Sequence, residues 1–280
     1  MIDNLLKEQY EKDNYKVIDI NDNKRCIIYC SSNGLWDYSE ESFRKDVMEN
    51  DKYEWDNLDK NKLLSYFGRK IFLRDIYLHF YVDGINNEIN TIDKIISLLK
   101  ELTRGFEITL VGYSAGGYLA MILGAELKAQ RVFSFGGQPC LYKWGGSQNN
   151  HPFSDFGFLY SRKDDPLYNK WFDISEHIKN TTCIIYHFYS RYCEADIIQK
   201  NFIEDLNNVY LFALPTAKHG KMLWGFIYPY LFTAEDKKLQ KYSKKHSGII
   251  KKQIFFSFRF AGFFNTLKHI TKKLIKRFLD

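Results

Sequence analysis

Residues 107–120 read Glu-Ile-Thr-Leu-Val-Gly-Tyr-Ser-Ala-Gly-Gly-Tyr-Leu-Ala: an apolar, β-branched run enters Gly112-x-Ser114-x-Gly116 and an Ala/Leu/Met-rich run leaves it. A strand that turns directly into a helix brings its own backbone into near collision, and glycine is the residue with no Cβ to clash there. The stretch therefore predicts a strand, a strained corner carrying Ser114, and a helix. A helix leaving a strand this way must cross back over the sheet before the next strand, which points to parallel strands covered by helices.

The rest of the chain agrees with that reading. Residues 15–20, 26–30, 70–74, 131–135, 182–189 and 209–214 are short, β-branched or aromatic, and bounded by turn residues, as strands are. Between them, Ile89, Ile92, Ile95, Ile96, Leu99 and Leu102 follow the helical period, and residues 115–128 form a second helical stretch. The expected class is α/β: a mainly parallel sheet flanked by helices, spanning residues 1–235. Residues 136–178 interrupt the alternation with Gly, Asn and aromatic side chains, among them Trp144, His151 and Trp171. They read as an insertion or lid over the C-terminal edge of the sheet, where open α/β folds bind ligands. The plain alternative is an ordered surface excursion.

A serine hydroxyl is a weak nucleophile at neutral pH unless a base takes its proton and a carboxylate orients that base. His219 follows the strand expected at 209–214, in the loop Pro215-Thr216-Ala217-Lys218-His219-Gly220, before an apolar helix expected from about Met222. Asp196 lies in the loop after the strand at 182–189 and is the expected acid; Glu194 is its nearest rival, and Asp164 or Asp165 would require an acid from the insertion. A helix-capping role would also suit Asp196. For an oxyanion, the backbone N–H of Ala115 is one expected donor. That of Ser32, in the loop Ser31-Ser32-Asn33-Gly34 after an early strand, is the other, although a plain turn at Asn33-Gly34 fits equally well.

Charge is distributed unevenly. The chain carries +6, yet residues 236–280 hold 13 Lys/Arg against Asp236 and Asp280, a local +11 that leaves −5 for residues 1–235. From Phe260, the residues Phe263, Phe264, Leu267, Ile270, Leu274 and Phe278 keep helical spacing, with Lys268, Lys272, Lys273, Lys276 and Arg277 between them. A basic amphipathic tail is thus expected at 236–280, suited to an anionic membrane surface. A helix docked on the protein, capture of an acidic polysaccharide and RNA binding are the other readings of the same tail. Charge confined to one end argues against a nucleic-acid-binding domain. Five Cys without CxxC or Cys/His metal spacing exclude a disulfide framework and a zinc site as expectations. No signal-like or spanning apolar run occurs, so a cytoplasmic protein, peripheral on the inner face of the membrane, is expected.

In its order of elbow (Gly112–Gly116), acid (Asp196) and base (His219), the chain resembles the α/β-hydrolase superfamily over about residues 15–235. The Ser-Ser-Asn-Gly loop, the doubled glycine Gly116-Gly117 and the Asp196 and His219 loops make it similar, within that superfamily, to O-acetyltransferases of bacterial capsules and other surface polysaccharides. It lacks the HGGG-type loop of lipases and esterases. The resemblance implies a Ser114–His219–Asp196 triad and no permanently bound cofactor. It also implies acetyl-CoA as acyl donor and a glycan hydroxyl as acceptor, with aromatic residues of the insertion stacking on the sugar. An esterase acting on a similar substrate is the runner-up, and a non-catalytic membrane-associated scaffold the reading from another class.

Overall fold

Successive side chains of a strand face opposite sides, so a sheet buried on both faces sorts its residues into two apolar sets. The computed structural model describes residues 2–143, 159, 161–220 and 223–279, apart from the side chains at 274 and 276–279. Its seven strands are β1 (Tyr15–Asp19), β2 (Arg25–Cys30), β3 (Arg69–Leu73), β4 (Glu107–Tyr113), β5 (Arg131–Phe135), β6 (Ile184–Ser190) and β7 (Val209–Leu214). They lie in the order β1-β3-β2-β4-β5-β6-β7. β1 is antiparallel to β3 and every other neighbouring pair is parallel.

Register aligns Ile71, Ile28, Leu110, Val132 and Ile185 in one row across the sheet, and Phe72, Tyr29, Val111, Phe133 and Tyr186 in the adjacent row on the opposite face. The first row packs beneath the helices Ile92–Leu102 and Ser114–Glu126. The second meets Tyr228, Phe232, Leu239, Phe256 and Phe260, so much of the aromatic excess of the sequence resides in this layer. Ile92, Ile95, Ile96 and Leu99 form the buried stripe of their helix, which starts at Thr91, whose side chain accepts the N–H of Lys94. The helix after Ser114 is buried at every residue from Ala115 to Gly124, because the sheet covers one side and the chain after β5 covers the other. With its elbow after β4 and the parallel strands around it, the architecture is of the α/β-hydrolase type.

Two expectations change at this level. The described part of the 136–178 insertion is a clamp on the core: Trp171, Phe172, Ile174 and Ile178 are buried, and Tyr118 donates its hydroxyl to the carbonyl of Trp171 at 2.7 Å. Gln199 fixes its start by accepting from the N–H of Cys140 at 2.9 Å and donating to its carbonyl at 2.8 Å. Trp171 is therefore core and no platform for a sugar; Trp144 and His151 lie outside the described residues. Equally, the chain does not leave the body at residue 235. Leu239, Ile250, Phe256 and Phe260 belong to the core, and buried Arg131 donates to the carbonyls of Phe232 and Ala234 and to Asp236. Charge counting missed this because the lysines of the helix Asp236–Lys245 are spread around its exposed sides while one apolar stripe faces the sheet. The helical run expected from Phe260 onward is broken at Gly262, whose φ of 84° opens a turn into the separate helix Phe263–Leu279.

Candidate active site

Ser114 sits at the corner between β4 and its helix with φ 45°, a left-handed conformation that a non-glycine residue holds only where its surroundings enforce it. The enforcement is visible in what a Cβ would meet. At Gly112 it would lie 2.1 Å from the carbonyl oxygen of Gly116, and at Gly116 it would lie 2.2 Å from that of Cys30. At Gly117 it would approach the Cα of Gly137 to 3.0 Å, so the second glycine of the pair lets the chain after β5 pass close to the elbow.

The end of β6 and the loop after β7 bring the two other expected residues to this corner. The Oγ of Ser114 is 2.9 Å from Nε2 of His219, and Nδ1 of His219 is 2.6 Å from Oδ1 of Asp196. A carboxylate only accepts, so Nδ1 carries the ring proton and Nε2 presents its lone pair to the serine hydroxyl. Asp196 is 2% exposed; its Oδ2 accepts the backbone N–H of Ser190 at 2.8 Å. Ser190 in turn donates its hydroxyl to the carbonyl of Lys218 at 2.6 Å, tying the segment that carries Asp196 to the loop that carries His219. Glu194 opens the helix Glu194–Asn201, on which Asp196 lies in the first turn, so Asp196 also faces the positive end of that helix. The helix expected from Met222 begins later, with a single turn at Gly225–Ile227 followed by Tyr228–Phe232; Met222 itself lies outside the described residues.

Gln138, which sequence reasoning passed over, completes the cluster. Its fully buried Nε2 donates to the carbonyl of Gly136 at 2.7 Å and to Oγ of Ser114 at 3.2 Å, and lies 3.3 Å from Nε2 of His219. The only trace of it in the sequence is Gly136-Gly137 directly ahead, marking a close backbone approach.

A cavity of about 700 Å³ opens over Ser114, lined by Ser32, Glu54, Trp55, Asn57, Asn61, Tyr113, His219, Phe226 and Tyr228 among others. Its described walls come from the segment after β2 and from residues 225–228, while the described insertion residues do not line it. Trp55 stacks on Tyr113 with ring centroids 4.6 Å apart and planes 7° from parallel. The helix Phe263–Leu279 reaches the rim, where His269 stacks on Phe226 at 4.1 Å.

Ser32 is in the cavity wall, but its N–H donates at 2.7 Å to Oε2 of Glu54 and its hydroxyl at 3.0 Å to Oε1. Ala115, the other expected oxyanion donor, is wholly buried at the start of the elbow helix.

No family model and no curated protein matches the sequence. Among solved structures, the chain is similar to the capsule O-acetyltransferase of Neisseria meningitidis serogroup A (14% identity, 74% of this chain and 85% of that one, TM-score 0.49). It is also similar to a Staphylococcus aureus protein of unknown function (11% identity, 83% and 92% covered, TM-score 0.47) and to a carboxylesterase of Nitrososphaera gargenis (12% identity, 71% and 85% covered, TM-score 0.45).

Proposed function

We infer that this protein is a serine-nucleophile acyl-transfer enzyme, and that its reaction is O-acetylation of a surface glycan. The observation that carries the chemistry is the unbroken chain of contacts from Ser114 through His219 to buried Asp196. In the first half-reaction, Oγ of Ser114 attacks the carbonyl carbon of an acyl donor as its proton passes to Nε2 of His219. The carbonyl electron pair moves to oxygen, then returns as the leaving group departs with the proton from His219. In the second half, the acceptor hydroxyl gives its proton to His219 as it attacks the acyl-serine carbon, and His219 returns that proton to Oγ of Ser114 as the C–Oγ bond breaks.

Acetyl-CoA as donor and a sugar hydroxyl as acceptor come from the sequence resemblance. What supports a glycan acceptor is the makeup of the cavity: the rings of Trp55, Tyr113, Phe226 and Tyr228 beside the amides of Asn57 and Asn61 suit the apolar faces and hydroxyls of a sugar. For the C-terminal region, the proposal is contact with an anionic membrane surface. Phe263, Phe264, Leu267 and Ile275 are exposed on the last helix together with Lys268, Lys272 and Lys273. No helix among the described residues is long and apolar enough to cross a membrane.

The test is incubation with labelled acetyl-CoA, with and without an oligosaccharide acceptor. Acceptor-dependent transfer of label that is lost in Ser114→Ala is the expected result. Ester turnover into water alone, unaffected by any acceptor, would assign the esterase reading instead.

A further inference from the structure

Cations gathered around one concavity repel each other and concentrate their field on whatever enters it. The segment that packs Leu239, Ile250, Phe256 and Phe260 against the sheet builds such a place on its outer side. A cavity of about 450 Å³ is formed by the helix Asp236–Lys245, the turn after it and the helix Gln253–Ala261, and it shares no described lining residue with the cavity over Ser114. Lys241, Lys245, Lys251, Lys252 and Arg259 line it, with the rings of Tyr242, His246 and Phe255 between them and no Asp or Glu. The acid at the start of the first helix, Asp236, is taken by Arg131 at 3.1 Å, and among the described residues none of the five cations is held in an ion pair.

The backbone that carries these charges is fixed to the edge of the sheet. Ala213 of β7 donates its N–H to the carbonyl of Gly248 at 2.7 Å and accepts that of Ile250 at 2.9 Å, while Ser243 donates its hydroxyl to the carbonyl of Leu211 at 3.1 Å. Gly248, with φ 71°, runs so close to β7 that a Cβ would lie 2.4 Å from the Leu211 carbonyl oxygen. Beside the cavity begins a run of exposed rings: Phe255, 63% exposed, lies 6.4 Å from Phe258, Phe258 lies 5.3 Å from Phe263, and Phe263 lies 5.8 Å from Phe264, 85% exposed. Water gains nothing from such a ridge, whereas the apolar layer of a membrane does.

We propose that this cavity is a headgroup site for an anionic lipid bearing a phosphate monoester, held by Lys245, Lys251 and Arg259 while Phe255, Phe263 and Phe264 enter the apolar layer. A monoester phosphate concentrates nearly two charges and three acceptor oxygens at one point, which matches a cluster of cations better than the single charge of a diester headgroup. The rings commit the site to a phosphate that comes with acyl chains. This rests on the membrane reading of the C-terminal region and adds to it which headgroup is recognised and where; it is independent of the chemistry at Ser114.

The test is sedimentation of the full chain with phosphatidylcholine vesicles that carry either phosphatidic acid or phosphatidylglycerol at matched surface charge. Expected is binding about tenfold tighter to the phosphatidic acid vesicles, a preference lost in the triple variant Lys245→Gln/Lys251→Gln/Arg259→Gln. The three side chains are exposed, so that variant should keep wild-type turnover of a small ester, which checks its folding. Lys268→Gln/Lys272→Gln, on the last helix, should weaken binding to both vesicles alike and keep the preference. Glycerol 3-phosphate, the same phosphate without chains, should release bound protein at least about tenfold less effectively than added phosphatidic acid vesicles; equal release would overturn the lipid assignment. No preference in wild type, or one that survives in the triple variant, would overturn the headgroup site while binding to both anionic vesicles upholds the membrane reading. Binding to neither would overturn both.

Discussion

Asp196 accepts the backbone N–H of Ser190 on Oδ2 at 2.8 Å, which turns its other oxygen toward Nδ1 of His219. That fixed orientation separates Asp196 from Glu194, the rival acid. Asp196→Asn is expected to lower kcat on a small acyl ester by about 10³–10⁴, because an amide can present N–H to Nδ1 and favour the wrong tautomer. Glu194→Gln should change it less than threefold. Equal losses in the two variants, measured by initial rates, would unseat Asp196.

Ser114→Ala and His219→Ala should each remove about 10⁴ or more of turnover, and the double variant scarcely more, since the pair acts as a unit. Fluorophosphonate labelling followed by mass spectrometry locates the reactive oxygen. A modified residue other than Ser114 would contradict the assignment.

Gln138 touches the same oxygen through Nε2 at 3.2 Å while holding the carbonyl of Gly136. Removing this donor in Gln138→Met, which keeps the length of the side chain, is expected to lower kcat about tenfold with KM little changed. A change confined to KM would place Gln138 in substrate binding.

Glycines differ in what they protect. Gly116→Ala would drive a Cβ to 2.2 Å from the Cys30 carbonyl oxygen and should cost at least about 3 kcal/mol. Gly105, with φ 82° and nothing within 4 Å of a Cβ, should cost about 1–2 kcal/mol through backbone strain alone. Urea denaturation of the two variants checks the order.

His187, 1% exposed in β6 with Nδ1 3.3 Å from Ser134, is pushed down by burial to about 4, with a weaker opposing pull from Asp196. Its ring is neutral in the folded protein where the unfolded chain already binds a proton. Stability must therefore fall as pH drops from about 6.5 through about 4, by about 3 kcal/mol in all. Buried Asp75, raised to about 6 by burial, acts oppositely: its contribution is full below 3.8 and is lost as pH rises through 6. The difference between wild type and His187→Gln cancels Asp75. Relative to that variant, wild type should lose about 3 kcal/mol between pH 7 and pH 4, and parallel stability curves would dismiss the effect.

The elbow, the seven strands and the residues now found in contact were readable because each depends on local constraints. A tight corner requires glycine, a doubly buried strand requires an apolar run, and a base and an acid must follow strands that end at the same sheet edge. Chain order alone thus limited His219 and Asp196 to a few candidates, and the fold joined them to Ser114 at hydrogen-bond distance. Gln138, Glu54 and the core role of Leu239, Ile250, Phe256 and Phe260 carry no local signature. A glutamine or glutamate in a polar loop looks the same whether it faces solvent or a serine oxygen, and a lysine-rich helix hides its apolar stripe among its charges. Which atoms meet across a gap of tens of residues is settled by packing of the whole sheet, and packing is a property of the folded chain that no short window of sequence contains.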